Sequence, residues 1–200
     1  MKPRPELKLL GAATPAVFWI TTILCGFILP DYNHASRLVS ELGALGTPTR
    51  FIFSAGLVAC ALLSAWFVTR LAGACRDRGL AQLPALVLLT HSLSLAGAGL
   101  FPLPLRAHLY LGMPSILILL SPPLALLMWR GAGRPNAIRW YAALSLCLMA
   151  GGLTAWFPHF LPELPGLKQR LFHAGWSLWF VGLGRGFGAA TEEKAAGHPR

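Results

Sequence analysis

The sequence predicts an all-α integral membrane protein, and three features predict it. Of 200 residues, 55% are hydrophobic and only 12% charged, and the mean hydropathy is +0.59, values that a soluble domain of this size does not reach. Apolar runs of about 20 residues, the length that crosses a hydrocarbon core about 30 Å thick, recur between short polar breaks. The basic residues, which give a net charge of +10, gather at the ends of these runs rather than along one polar face. That pattern sets topology and argues against a nucleic-acid surface.

Six runs fit spans: residues 13–29, 51–68, 83–103, 108–129, 139–157 and 171–188. Residues 1–12 then form an N-terminal cytoplasmic segment, and residues 189–200 a polar cytoplasmic tail without an apolar face, expected to be disordered. The first run reads as a retained helix. No small-x-small cleavage site follows it, and Leu24 before Cys25 does not suit lipoprotein processing. The last run carries Arg185 near its end, where the side chain can snorkel to the interface. With the N-terminus inside, 12 Lys and Arg fall on the cytoplasmic side and five on the other, the bias expected of an inner (cytoplasmic) membrane protein with both termini inside. Trp129, Trp140 and Trp156 are placed for interfacial belts. Cys25, Cys60 and Cys147 lie in apolar runs and Cys75 among charges, so four free thiols are expected.

No Asp or Glu falls inside a run, which disfavours a carboxylate-lined ion path, and the halves show no repeat symmetry, which disfavours a small transporter. His91, beside Ser92 and Ser94, reads as a neutral histidine hydrogen-bonded to a neighbouring helix. Small residues such as Gly97, Gly99, Gly151 and Gly152 suit close helix approach. Pro122 and Pro123 should kink the fourth span, because neither has an N–H for the ladder.

The chemistry-bearing residues collect on the extracytoplasmic side. Between the first two spans, residues 33–42 have the pattern of a short amphipathic helix, capped by Asp31 or Asn33 and ended by Gly43. Arg37 and Glu41, four apart, share one face with Ser36 and Ser40, opposite Leu38, Val39 and Leu42. His108 opens the fourth span, and Gln169, Arg170 and His173 open the sixth, with Arg170 and His173 three apart on a face that includes Ser177. Two imidazoles and the Glu41 carboxylate make the ligand set of a zinc or iron site, or a general acid/base group. Ser40 beside a histidine is a possible nucleophile, although no nucleophile-elbow pattern surrounds it. The plainer alternative is structural: a surface pair of Arg37 with Glu41, or a Glu41–Arg170 pair tying the loop to the bundle.

These residues carry a family resemblance. Tyr32-Asn33-His34, Ser36 and Ser40-Glu41-Leu42-Gly43 after the first span, Gly99-Leu100-Phe101-Pro102 followed by His108, and Gly166-Leu167 with Gln169-Arg170-Leu171 before the last resemble the prokaryotic multi-pass membrane family catalogued as domain of unknown function 998. The order of motifs matches over residues 10–188. Where that family usually has an acidic or small polar residue after Phe-Pro, Leu103-Pro104-Leu105 stands here. The resemblance implies a helical multi-pass fold and no established reaction.

Two functional classes follow. The first is a protein that binds a lipid headgroup or small amphiphile at an extracytoplasmic pocket formed by Asn33, His34, Arg37, Ser40, Glu41, His108, Arg170 and His173, with Arg37 and Arg170 on a phosphate and the bundle around the tail. The second is a membrane-embedded hydrolase or transferase on lipid-linked substrates, with or without a metal, in which Glu41, His108 and His173 are the catalytic or metal-binding groups. The lipid bilayer is the partner expected in either case, and nucleic acid in neither.

Overall fold

A computed structural model describes residues 4–129 and 137–189, and every regular element among them is helical. Of the predicted tail at residues 189–200, residues 190–200 lie outside the described residues. Helix α1 (Pro5–Ile28) begins with a proline in its first turn, where a missing N–H leaves no gap in the ladder. It stops where Asp31 takes a left-handed turn at φ 55°, a conformation that Asp tolerates better than most residues. Helix α2 is Arg50–Asp77. The third helical segment is α3 (Leu83–Leu86) running into α4 (Leu88–Leu100).

The fourth segment is broken into α5 (Arg106–Gly112), a 3-10 stretch (Met113–Leu120) and α6 (Ser121–Met128). Pro122 and Pro123 sit in the first turn of α6 rather than at the middle of a kink. The irregular stretch lies before them because neither can donate to a carbonyl one turn back, and Pro114 withholds a third donor. The fifth segment is α7 (Ile138–Gly152) with a 3-10 end (Leu153–Trp156), and the last is α8 (Pro165–Gly188).

Segments Pro5–Ile28, Arg50–Asp77, Leu83–Leu100, Arg106–Met128 and Ile138–Trp156 are long and apolar enough to cross a membrane. Helix α8 is equally long but less apolar, and just over half of its residues are buried. Helix α1 packs on α2 and α8, α2 on α4, α4 on α5 and the 3-10 stretch, α6 on α7, and α7 on α8. The chain therefore runs in sequence round a closed ring. Close crossings rest on small residues: a Cβ on Gly11 of α1 would lie 2.7 Å from the Phe180 carbonyl oxygen and 3.0 Å from Gly184 Cα of α8.

One end of the ring is tied by Arg4 to Asp77 and by Glu6 to Arg70, and Arg78 donates to the Gly186 and Phe187 carbonyls at the end of α8. The core near this end holds Trp129, Trp179, Phe180 and Phe187. The sequence expectation for Trp129 is corrected here. Trp129 is 0% exposed, whereas Trp140 is 81% exposed; the Trp129 indole packs on Phe187 and donates to the Ala81 carbonyl at 2.7 Å. None of the four cysteines is paired, and Cys75 is buried.

Candidate functional site

At the opposite end the loop between α1 and α2 is folded, but not as an amphipathic α-helix over residues 33–42. Asn33 Oδ1 accepts the N–H groups of Ala35 (2.8 Å) and Ser36 (3.3 Å), closing a turn. A 3-10 helix follows at Val39–Gly43. Glu41 holds its entry: one carboxylate oxygen accepts the Leu38 N–H at 2.8 Å and the other accepts Arg37 Nε at 2.8 Å. The continuous helix fails because Leu38 and Val39 find partners outside it. Val39 N–H donates to Gln169 Oε1 of α8 at 2.7 Å, and the Leu38 carbonyl accepts the Tyr32 hydroxyl at 2.8 Å.

The first turns of α8 lock this loop. Leu167 N–H donates to the Ala35 carbonyl at 2.9 Å. Arg170 donates to the Arg37 carbonyl (3.1 Å), its own helix at Gly166 (3.0 Å), the Tyr32 hydroxyl (2.9 Å) and His34 Nδ1 (2.8 Å). Glu41 pairs with Arg37 and not with Arg170. Gly166 lies so close to the loop that a Cβ would strike the carbonyl oxygens of His34, Ala35 and Arg37. Burial, and then the neighbouring Arg170 charge, lowers the His34 pKa below the ordinary histidine value. Burial raises that of Tyr32, with Arg170 pulling the other way.

Under the loop are two adjoining cavities, an inner one of about 120 Å³ and an outer one of about 320 Å³. Ser40, His108, Gly112, Ser115, Gln169 and His173 line both. Thus Ser40, His108 and His173 share one space, while Asn33, His34, Arg37, Glu41 and Arg170 belong to the lock and do not line it. The outer cavity is walled by Leu109, Met113, Ile116, Trp156 and Phe172, of which Leu109, Met113 and Trp156 are exposed at the ring's outer surface.

In their neutral forms the two shared imidazoles take opposite tautomers. His108 Nδ1 lies 2.9 Å from the Phe101 carbonyl oxygen, so it carries the proton and leaves a lone pair on Nε2. His173 Nδ1 accepts the Trp176 indole N–H at 2.9 Å, so its proton sits on Nε2. A base and a donor therefore line one cavity.

Four polar lining residues are not among those predicted for the pocket. Gln169 was visible as a helix-mate of His173 four positions before it, and Ser115 had no signal. His91 and Ser94, three apart on α4, line the inner cavity. The hydrogen bond expected for His91 is not made among the described residues: neither ring nitrogen has a partner there, and the ring packs on Trp176 at 4.6 Å.

A metal fits this donor set poorly. Among the described residues no three His, Cys, Asp or Glu side chains gather to hold one; the Glu41 carboxylate and His173 Nδ1 are already engaged.

The family model described as protein of unknown function (DUF998) matches residues 12–186. The chain belongs to this family. No curated protein and no solved structure matches it. Within this DUF998 chain the motif residues divide by geometry. Tyr32 to His34, Glu41, Gly166, Leu167 and Arg170 build the lock; Ser40, His108 and Gln169 reach the cavity beneath it.

Proposed function

We propose that the chain is a six-span protein of the cytoplasmic (inner) membrane with both termini inside, and that its cavity near the outer leaflet binds a small amphiphile. Helix α8 serves as the sixth span: 24 residues measure about 36 Å, enough for a core of about 30 Å. Its glycines and polar residues suit a helix largely enclosed by protein. The clustering of Arg4, Arg70, Arg76 and Arg78 where α1 begins and α2 ends supports the orientation. Ser36 and Arg76 are both exposed. In a Cys147→Ser background, Ser36→Cys should react with a membrane-impermeant maleimide in intact cells, and Arg76→Cys only after the cells are opened. The reverse pattern inverts the topology.

The observation that carries the binding reading is the outer cavity itself, with an apolar wall at the ring surface and Ser40, His108, Gln169 and His173 behind it. Such a shape suits a ligand entering sideways from lipid with its polar end inward. A phosphate held by Arg37 and Arg170 lacks this support, since neither lines the cavity and Arg170 is engaged in the lock. Protein purified in detergent should release a near-stoichiometric amphiphile on solvent extraction, identified by mass spectrometry, and His108→Ala should retain about tenfold less of it. An extract indistinguishable from that of an unrelated membrane protein sinks the reading.

The opposite tautomers of His108 and His173 favour one second reading, a hydrolase or transferase on lipid-linked substrates. His108 Nε2 would take a proton and His173 Nε2–H would donate one, with Ser40 as the neighbouring hydroxyl and Glu41 holding the loop. A zinc- or iron-dependent form needs stoichiometric metal in the purified protein, which elemental analysis decides.

A further inference from the structure

We infer that the ligand of this cavity carries an uncharged hydrogen-bonding head, a hydroxyl or a carbonyl without phosphate, and that His91 and Ser94 at the inner end receive it. The inference rests on the amphiphile-binding reading and gives the ligand its chemistry. His91 is 1% exposed and Ser94 4%, yet His91 Nδ1 and Nε2 and Ser94 Oγ have no hydrogen-bond partner among the described residues. Native interiors rarely leave buried polar atoms unpaired, because each gives up its bonds to water without replacement. Three such atoms on two residues that line one cavity point to a molecule that fills it.

The neighbouring residue on the same helix shows that the bundle can satisfy a buried hydroxyl. Ser92 Oγ lies 2.7 Å from Ser64 Oγ of α2. His91 and Ser94 line the inner cavity instead. A neutral imidazole offers one donor and one acceptor, and a serine hydroxyl offers both. Together they can donate to and accept from an alcohol, or donate twice to a carbonyl oxygen.

Charge decides against a phosphate. None of the described residues lining either cavity is Lys, Arg, Asp or Glu, so an anionic head would be desolvated with no counter-charge from them. The lock above holds two arginines, but neither lines a cavity: Arg170 donates to loop carbonyls, Tyr32 and His34, and Arg37 Nε donates to Glu41. The apolar outer cavity then takes the ligand's chain.

The test compares two photoactivatable probes with identical diazirine-bearing chains, hexadecanol and hexadecyl phosphate, on the full-length protein in phosphatidylcholine nanodiscs. Cross-links are mapped by mass spectrometry. The alcohol should label residues of the outer cavity, and the phosphate should do so about tenfold less. Ser94→Ala should lower alcohol labelling about fivefold, and His91→Leu about tenfold, in keeping with the loss of one or two hydrogen bonds. His91→Leu should also raise the melting temperature without ligand, since an unpaired polar group is replaced by an apolar one. If that variant does not fold, Ser94→Ala decides. Phosphate labelling equal to that of the alcohol, or alcohol labelling untouched by the substitutions, overturns this inference and leaves amphiphile binding standing. No labelling of the cavity by either probe, as for a pocket holding water only, overturns both.

Discussion

Arg170→Ala is expected to cost about 2–4 kcal/mol of stability and to free the loop between α1 and α2. The guanidinium donates to a hydroxyl, an imidazole and two carbonyls at 2.8–3.1 Å, and its removal leaves several half-buried acceptors without a donor. Lysine should recover less than half of the loss, because a single ammonium cannot reach acceptors spread around a planar fork. Thermal denaturation in detergent gives the magnitude, and hydrogen exchange over residues 31–43 gives the location. Arg37→Ala should cost under about 1 kcal/mol, since its partly exposed pair with Glu41 is screened. Equal losses from the two variants would show that the ion pair, not α8, holds the loop.

Acid should loosen the same lock. The bond from Arg170 needs an unprotonated His34 Nδ1, and the folded-state pKa of His34 is lowered by burial and by Arg170. The unfolded histidine therefore takes up its proton first. The contribution of His34 is complete above the unfolded pKa of about 6.5 and diminishes as pH falls from there toward the lower folded value. Exchange over the loop, corrected for its intrinsic rate, should be faster at about pH 5 than at about pH 7.5, and His34→Gln should flatten that difference.

The lock also shows which parts of this protein are legible in its sequence. Membrane character is, because an apolar run of about 20 residues between charges has few other structures open to it. Helix ends are less so. Helix α1 begins at Pro5, ahead of the apolar run, since a helix continues through Glu6 and Lys8 once they find Arg70 or water. The loop misleads for a different reason. Residues 33–42 have helical spacing and a capping residue, yet the N–H of Val39 is taken by a side chain 130 positions away. Local propensity carries no information about such a partner. Trp129 likewise looks interfacial until the ring closes around it. The site was half visible: His108 and His173 stand out as imidazoles at the same membrane side, whereas Gln169 and the unpartnered pair on α4 acquire meaning only when a shared cavity is seen. The two ends of the family motif, far apart in the chain, are two halves of one contact.

Neighbouring glycines near the end of α7 should respond in opposite directions to the same substitution. A Cβ on Gly152 would strike the backbone nitrogen of Phe172 and lie 2.5 Å from its Cα, whereas a Cβ on Gly151 meets nothing within 4 Å among the described residues. The seam continues at Gly175 of α8, where a Cβ would lie 2.7 Å from the Met149 nitrogen and 2.8 Å from the Ser145 carbonyl oxygen. These obstacles are backbone atoms in helices, so relief requires α7 and α8 to separate. Gly152→Ala is therefore expected to cost about 2–3 kcal/mol, while Gly151→Ala should be neutral or stabilise by up to about 1 kcal/mol through reduced freedom of the unfolded chain. Gly152 and Phe172 both line the outer cavity, so under the proposed binding function separation should widen the lateral opening and speed loss of the amphiphile, whereas Gly151→Ala should leave retention unchanged. Melting curves and ligand retention during gel filtration measure the two effects on the same samples. Equal destabilisation by both alanines would mean that α7 meets α8 on a face other than the one carrying Gly152, and that the cavity wall is not set by this crossing.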